Sequence, residues 1–491
     1  MKLVLVNPRN RVSLYGDYLW EPLAFGYLAA ATPPHWEVEL IDEQCEGALD
    51  YGAVRADLVG LTAFTTQAPR AYQIAAQFRA RGIPVVMGGI HASLVPHEAE
   101  RYADALVIGE GEALWPRLVA DVEAGRLARR YEGGTSGDPL LHPDRRLFRK
   151  YKYEYVSAQT SRGCPMDCSF CSVTAFNGRL FRMREVADVV AEVAAIPERD
   201  IIFVDDDLNG FSRKAKERCL ELFRAMAAAR LDKQWITQVT INFGDDDELP
   251  RLARAAGCAG VFIGLESTDT RSLTLIRKDG TSQRRGLDYY RENIARIRRH
   301  GIGVVGSFIL GIDTQDMDTI VSDILRFAAA SDLDGLNPTI LTPLPGTRDY
   351  TRFDAEGRIL FKNYPEDWEK YTLAFPVTRM PHVTGAGLMR RYLQLLQYFR
   401  PEHVAARYWR TCETVSPEAA WHTFLWNRVW TNYCLRQGAF RHAPLADTYP
   451  ATLPREAPPR PALDLDSITE SVLPSASEPD ARRAQAQPVS H

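Results

Sequence analysis

Several features that would assign a protein to a specialised class are missing from this sequence. No run reaches the roughly 18 apolar residues that a membrane-spanning helix needs, and the apolar run at residues 2–6 is too short for a signal peptide. The net charge of −4 over 491 residues gives no basic excess, so nothing indicates nucleic-acid binding. Eight cysteines in this length do not form a disulfide framework and favour the reducing cytoplasm. A lipid substrate or peripheral attachment stays open.

A fourth cysteine is missing from the one place where cysteines cluster. Cys164, Cys168 and Cys171 have the spacing C-x3-C-x2-C, and the next cysteine along the chain is Cys219. Thiolates select iron–sulfur clusters, zinc or copper(I). A structural zinc site needs four ligands, and a [4Fe–4S] cluster normally takes four cysteines. Three cysteines on such a cluster would leave one iron free for a small molecule. A zinc knob and three unrelated core thiols are the plain alternatives.

The three-cysteine spacing, with Phe170 directly before the third cysteine, resembles the radical S-adenosylmethionine enzymes. The resemblance implies a [4Fe–4S] cluster on the three cysteines, with S-adenosylmethionine on the open iron. It also implies that an electron from an external donor such as flavodoxin or ferredoxin cleaves the cofactor to a 5′-deoxyadenosyl radical. By the same resemblance Phe170 packs beside the adenine, whereas its plain alternative is an ordinary core position.

Residues 1–145 alternate between short apolar runs and helical patterns. This alternation predicts a doubly wound parallel sheet, in which ligands bind at the carboxyl ends of the strands. The predicted strands are Lys2–Val6, Glu37–Ile41, Leu58–Thr62, Pro84–Met87 and Ala105–Ile108.

This first region resembles the cobalamin-binding domain that precedes many radical enzymes. The resemblance is carried by residues 22–30, 88–91 and 109–112, whose glycines follow predicted strands and let the backbone approach a ligand closely. The Asp-x-His-x-x-Gly motif of other cobalamin domains is missing, so a relic domain without a corrin stays open, as does a plain loop role for His91. The implied cobalamin contacts are Thr65, Thr66, Gly88, Gly89, His91, Gly109, Glu110 and Gly111.

Residues 146–345 contain six further strand–helix units, which predict a partial parallel barrel of the type that this family uses. Ligand-binding and catalytic residues of such barrels lie at the carboxyl ends of the strands. The predicted strands are Tyr153–Thr160, Ile201–Asp205, Trp235–Ile241, Gly260–Glu266, Gly303–Leu310 and Leu336–Leu341.

Polar residues and glycines at these strand ends resemble the cofactor-binding segments of the family. The triplet Asp205–Asp207 would contact the methionine amino group, with Asp206 preferred; a divalent-metal site and a helix cap are its alternatives. Which of the three carboxylates points inward stays open. The implied S-adenosylmethionine contacts are Phe170, Asp206, Gln238, Glu266, Ser267 and Gly311.

The residue pattern at 346–443 predicts a mostly helical extension. It loosely resembles the carboxyl-terminal extensions of some cobalamin-type radical enzymes. The apolar spacing at residues 388–399 predicts a helix that Pro401 ends. The tryptophans at 409–430 predict either a helical cap packed on the barrel or an aromatic wall over the substrate mouth. Cys412 and Cys434 are predicted to be buried small hydrophobes, with a second cluster or a covalent role as the alternative. Residues 444–491, rich in Pro, Ala and Ser, are predicted to form a disordered tail.

The combined pattern predicts an enzyme that methylates an unactivated carbon of an unknown small molecule or lipid. Its predicted cofactors are a [4Fe–4S] cluster, S-adenosylmethionine and cobalamin. Radical cyclisation, rearrangement or oxidation are rival outcomes, and a cobalamin or cluster-based sensor is the non-enzymatic alternative. The sequence identifies no catalytic acid or base.

Overall fold

The structure, a computed structural model, describes residues 1–10, 20–133, 142–278 and 286–439. The tail predicted at 444–491 lies outside the described residues. So do residues 134–141, which belong to a stretch at 132–144 whose Gly, Pro and Asp content predicts a linker. No helix among the described residues is long and apolar enough to cross a bilayer.

The first sheet has six parallel strands in the spatial order β2-β1-β3-β4-β5-β6, so its connections run both ways from β1. The prediction of a doubly wound parallel sheet is confirmed, and its buried β1 has Leu3, Val4, Leu5 and Val6 fully enclosed, as expected for a sheet covered on both faces. The strands are β1 Lys2–Asn7, β2 Glu37–Asp42, β3 Leu58–Thr62, β4 Val85–Gly88, β5 Ala105–Ile108 and β6 Arg130–Glu132. The helices are α1 Leu23–Ala30, α2 Glu43–Glu46, α3 Ala68–Arg79, α4 Gly89–Leu94, α5 Pro96–Ala99 and α6 Trp115–Glu123.

The second sheet also has six parallel strands, in the order β14-β13-β12-β11-β10-β7, and confirms the partial barrel. An antiparallel pair, β8 and β9, flanks the cysteine loop. The strands are β7 Val156–Ala158, β8 Ser161–Arg162, β9 Arg182–Met183, β10 Asp200–Phe203, β11 Gln234–Val239, β12 Cys258–Glu266, β13 Gly303–Leu310 and β14 Gly335–Ile340. The helices are α7 Ser172–Asn177, α8 Val186–Ala195, α9 Arg213–Ala229, α10 Glu248–Ala255, α11 Thr270–Leu275, α12 Gly286–Arg299 and α13 Ile320–Ala330.

The remaining helices are α14 Arg348–Ala355, α15 Gly385–Leu396, α16 Pro401–Thr414 and α17 Pro417–Arg436. The prediction that Pro401 ends a helix is wrong. The preceding helix already ends at Leu396, and Pro401 begins α16, since its missing N–H costs nothing in a first turn.

Helix α17 packs against the amino ends of the barrel strands. Trp426 Nε1 donates to the Leu336 carbonyl at 3.2 Å, and Asn427 Nδ2 donates to the Asp334 carbonyl at 2.9 Å, where β14 begins. The Trp426 ring also lies 5.2 Å from the ring of Phe262 on β12. The helical cap is therefore confirmed, whereas Trp426 belongs to no aromatic wall at the carboxyl ends.

Candidate active site

The cysteine loop, residues 164–171, is directly preceded by a glycine that no other residue could replace without strain. Gly163 has φ +81°, and a Cβ atom there would lie 2.1 Å from the Leu180 carbonyl oxygen. The loop continues to Cys171, which immediately precedes α7. The entry of the loop is thus held against the segment that returns into β9.

Two carboxylates at the end of β10 fasten this entry. Asp205 is fully buried and accepts hydrogen bonds from the Thr160 backbone at 3.1 Å, from its hydroxyl at 2.9 Å, and from the Ser161 hydroxyl. Asp206 accepts from the Gly163 backbone N–H at 3.0 Å. Burial raises the pKa of Asp206 to about 6. Asp205 therefore has a structural role, and Asp206 bonds to the residue just before the first cysteine.

The third carboxylate of the triplet, Asp207, is also almost fully buried. Burial raises its pKa to about 6, while the nearby Lys278 ammonium opposes that rise. Its Oδ1 is 3.4 Å from the Thr240 hydroxyl, and its buried Oδ2 has no hydrogen-bond partner among the described residues. A buried carboxylate oxygen without a hydrogen-bond partner costs free energy. Asp207 is therefore a candidate for binding the methionine amino group, although the sequence favoured Asp206 for this contact.

The cysteine thiols are largely shielded from water. Burial is the main cause that raises the pKa of Cys164 and of Cys168 to about 12, and it also raises the pKa of Cys171. Ionised thiols at this site therefore need a compensating positive charge, which bound iron supplies, since metal binding deprotonates its ligands.

Among the described residues, the Lys278 ammonium interacts electrostatically with all three thiols. Lys278 Nζ donates to Glu266 Oε1 at 3.0 Å, and the charges of Glu266, Cys168 and Cys164 outweigh burial and raise the pKa of Lys278. Both side chains lie over Gly264, where a Cβ atom would come within 2.3 Å of Glu266 Oε1. Sequence reasoning predicted Glu266 and missed Lys278, which no local motif marks.

The other predicted S-adenosylmethionine contacts differ in exposure. The Gln238 side chain is exposed on β11, whereas Ser267 is buried and accepts a hydrogen bond from the Asp269 backbone at 3.1 Å. Gly311 has φ +93°, and its missing Cβ would point at Leu388 and Met380.

Phe170 is half-buried and packs against the apolar cluster under the first sheet. This cluster contains core residues of the first sheet, such as Val59 and Met87, together with Ile309 and Leu341 from the barrel. The core alternative for Phe170 therefore fits its packing, and its role beside an adenine stays a prediction.

Within the ranges that the structure describes, no three His, Cys, Asp or Glu side chains lie close enough to hold a single metal ion. A zinc knob needs four ligands around one ion, and the carboxylate triplet would need its oxygens to converge. The described residues build neither alternative site. A four-iron cluster presents its corners to separate ligands, so its cysteines need not meet at one point.

The predicted cobalamin loops follow three adjacent strands, β3, β4 and β5, and so lie along one edge of the first sheet. Gly89 has φ +83°, and a Cβ atom there would be 2.1 Å from the Thr62 hydroxyl. Gly109 also has φ +83°, with its N–H donated to the Ser93 hydroxyl at 3.0 Å. Gly88, Gly111 and Thr66 are half-buried, and Thr65 is buried.

Next to these threonines lies an exposed aromatic side chain that sequence reasoning missed. Phe64 is 66% exposed at the carboxyl end of β3. Half-buried glycine backbone and an unburied aromatic ring along one sheet edge form a surface that a large flat cofactor could cover, so the residues present fit cobalamin.

His91 does not fit the predicted contact set. Its side chain is fully buried, with Nε2 3.1 Å from the Tyr72 hydroxyl and 3.5 Å from Glu98. Trp368 donates to both oxygens of Glu98, at 3.0 and 3.1 Å, and its ring lies 5.5 Å from the histidine. In this structure His91 exposes no surface to a corrin and instead helps to join α3 to the segment after α14.

Glu110 was also predicted to contact cobalamin, but its carboxylate is occupied by the barrel. Arg182 donates to both of its oxygens, one at 3.0 Å, and Arg162 Nη1 lies 3.3 Å from Oε2. Arg162 also donates to Glu112 at 2.6 Å. Because Arg162 directly precedes Gly163, the loop after β5 is tied to the entry of the cysteine loop.

The comparisons with known proteins agree with this geometry. The radical SAM superfamily model matches residues 158–327, and the B12 binding domain model matches residues 14–119. Bacteriochlorophyllide d C-8(2)-methyltransferase of Chlorobaculum tepidum is 31% identical over 373 residues, covering 71% of this chain and 78% of the relative. The hopanoid C-2 methylase of Rhodopseudomonas palustris is 27% identical, covering 78% of this chain and 71% of the relative.

A solved structure shares the fold over nearly the whole described chain. The radical S-adenosylmethionine methyltransferase TsrM from Kitasatospora setae, with cobalamin and a [4Fe–4S] cluster bound, has a TM-score of 0.64 at 18% identity, covering 87% of this chain and 99% of that one.

The fold and the three-cysteine loop define a radical S-adenosylmethionine protein with a B12-binding domain. This chain belongs to the cobalamin-dependent radical S-adenosylmethionine enzymes. Its cofactors are accordingly a [4Fe–4S] cluster, S-adenosylmethionine and cobalamin, and its methyltransferase relatives support C-methylation.

Proposed function

We propose that this protein methylates an unactivated carbon of a small organic molecule or lipid. When bound, the cluster provides the electron that cleaves S-adenosylmethionine, and cobalamin provides a carrier for the methyl group. The observation that carries the proposal is the pairing of Glu110 and Glu112 with Arg162, because it joins the cobalamin edge to the cysteine loop.

Within this proposal Cys164, Cys168 and Cys171 hold the cluster, and Asp207 with Glu266 binds the polar end of S-adenosylmethionine. Lys278 offsets the negative charge that the thiolates and Glu266 bring together. The glycine loops at 88–89 and 109–111 hold the corrin. Enclosure between the two sheets keeps water from a carbon radical.

We propose the division of the chain at residues 1–145, 146–345, 346–443 and 444–491, which the two separate sheets and the terminal helices support. A reducing cytoplasm and an external electron donor also belong to the proposal, since the free thiols and the cluster need reducing conditions.

Two products test the function before the substrate is known. The anaerobically reconstituted protein, supplied with reduced cobalamin, S-adenosylmethionine and dithionite, is expected to form both S-adenosylhomocysteine and 5′-deoxyadenosine. The first reports methyl transfer and the second reports radical formation. 5′-Deoxyadenosine alone would favour cyclisation, rearrangement or oxidation, and neither product would favour a sensor.

A labelled methyl group then identifies the substrate class. S-adenosylmethionine with a deuterated methyl group is added to cell extract, and mass spectrometry is used to find the compound that gains the label. A tetrapyrrole and a hopanoid are the first candidates, because two relatives act on these classes. A Cys168→Ala variant in the same extract is the control, and the product of this protein is the compound that gains the label with the wild type but not with this variant.

A further inference from the structure

The outer side of the cysteine loop carries two half-exposed arginines around one carboxylate. Asp167 accepts a hydrogen bond from Arg348 at 2.7 Å and pairs with Arg277 at 2.9 Å. The side chains of Arg348 and Arg277 are 52% and 51% exposed, whereas Asp167 is only 15% exposed. Both guanidinium groups therefore face solvent directly above the segment between the first two cysteines.

A third arginine lies on the same segment. Arg179 is exposed, and its Nε is 3.4 Å from the Pro165 carbonyl oxygen. Two leucines flank the segment, with Leu180 50% exposed and Leu275 36% exposed. We call Arg179, Leu180, Leu275, Arg277 and Arg348 the basic patch.

The charge of the basic patch differs from that of the whole chain. Among the residues that the structure describes, three guanidinium groups face one carboxylate, Asp167, although the chain as a whole has a net charge of −4. The next arginine on α14, Arg352, is taken up by Asp349 and Asp313 and adds little. The described residues of the basic patch therefore carry a local positive excess over the cysteine loop.

The site below needs electrons that must come from outside the chain. Cys168 is only 6% exposed, and the basic patch lies over Asp167, the residue directly before it, so a donor bound at this patch would be close to a cluster ligand. Weak redox encounters use small interfaces, and interface centres are enriched in arginine beside apolar side chains. Opposite charges steer such partners and raise their association rates.

We propose that the basic patch is the docking surface for an acidic one-electron carrier protein that reduces the cluster. The inference rests on the proposed function, because a radical enzyme needs this electron. One electron leaves the reduced carrier and enters the oxidised cluster, no covalent bond forms or breaks, and the carrier departs in its one-electron-oxidised form.

The test measures reduction of the cluster in the full-length protein by flavodoxin hydroquinone. Stopped-flow absorbance follows bleaching of the cluster and growth of the flavodoxin semiquinone. Arg179→Glu is the main variant, since it reverses a charge without touching Asp167, and Arg348→Gln is the second, since Arg277 still pairs with Asp167. Arg326→Glu is the matched control: its side chain is 74% exposed on α13, which runs back to the amino ends of the strands.

At an ionic strength of about 0.05 M, Arg179→Glu should lower the second-order rate constant about tenfold, and Arg348→Gln by a smaller factor. The difference should vanish near 1 M salt, where the screening length is about 3 Å. Arg326→Glu should stay within about twofold of the wild type. Reduction by dithionite should change less than twofold in each variant, because a small reductant does not need the docking surface.

Wild-type rates with flavodoxin in both patch variants at low salt would overturn the proposal. An equal loss with dithionite would also overturn it, because the arginines would then only hold the loop. A third outcome would also overturn it: dithionite reduces the cluster of the patch variants normally, but these variants form less product. The patch would then bind an anionic substrate rather than an electron carrier. Failure of the proposed function looks different: the wild type would then lack an iron–sulfur chromophore or form neither cofactor product.

Discussion

Replacing Glu110 by glutamine tests whether the loop after β5 controls the entry of the cysteine loop. Glutamine keeps the size of the side chain but removes the charge that holds Arg182 and Arg162. The Glu110 side chain is 6% exposed, Arg162 14% and Arg182 25%, so the pairs are mostly buried.

The expected loss can be worked out from these contacts. Removing one partner of a buried pair costs about 3–5 kcal/mol. Arg162 keeps Glu112 as a partner, and Arg182 can turn toward solvent, so we expect about 2 kcal/mol at this junction. At about 1.4 kcal/mol per factor of ten, local opening becomes roughly 30-fold more frequent.

Hydrogen–deuterium exchange measures this opening directly. The Gly163 amide, which is bonded to Asp206, should exchange roughly 30-fold faster in Glu110→Gln. Glu100→Gln is the control, because Glu100 forms an exposed pair with Arg130 on the same domain and should leave Gly163 unchanged. Unchanged exchange at Gly163 in a folded Glu110→Gln protein would refute the coupling of the two loops.

Three further predictions concern the cofactors. Cys168→Ala should abolish the broad iron–sulfur absorbance near ~400 nm, and a wild-type iron content in that variant would contradict the cluster assignment. Gly109→Trp should lose bound hydroxocobalamin. The control Gly125→Trp, also at positive φ but in open space, should keep about one corrin per chain. Equal retention by both variants would contradict a corrin site at Gly109. Lys278→Met removes a cation near the thiolates, so it should shift the midpoint potential of the cluster, measured by potentiometric titration, to more negative values by roughly 100 mV. Lys278→Arg keeps the charge and should leave the potential unchanged. An unchanged potential in the methionine variant would show that Lys278 does not influence the cluster.

The sequence predicted the two sheets because their central strands are continuous apolar runs between helical patterns. Residues 3–6, fully buried in β1, are such a run. The edge strand β6 was not predicted, since its single buried residue, Tyr131, lies between exposed Arg130 and Glu132 and no apolar run marks it. Helix α9 was overlooked although signals were present, including the Ser212 cap, whose hydroxyl accepts from the Ala215 backbone.

The candidate site was predicted where chemistry is concentrated in one short segment, and missed where distant segments meet. The cysteine spacing is local, so it could be recognised in the sequence. Lys278 reaches Glu266 only through the fold, and His91 is buried against Trp368, which lies far along the chain. No pattern within a window of a few residues carries such contacts.

Helix α17 has a consequence for the route that a substrate takes. With Trp426 against Phe262 and Asn427 bonded where β14 starts, the floor of the barrel is filled. A strand of six residues spans on the order of 20 Å, so a longer molecule cannot thread through and emerge below. Along the barrel axis, a long substrate would therefore keep its unreacted portion at the cofactor end, and its methylated product would leave toward that side.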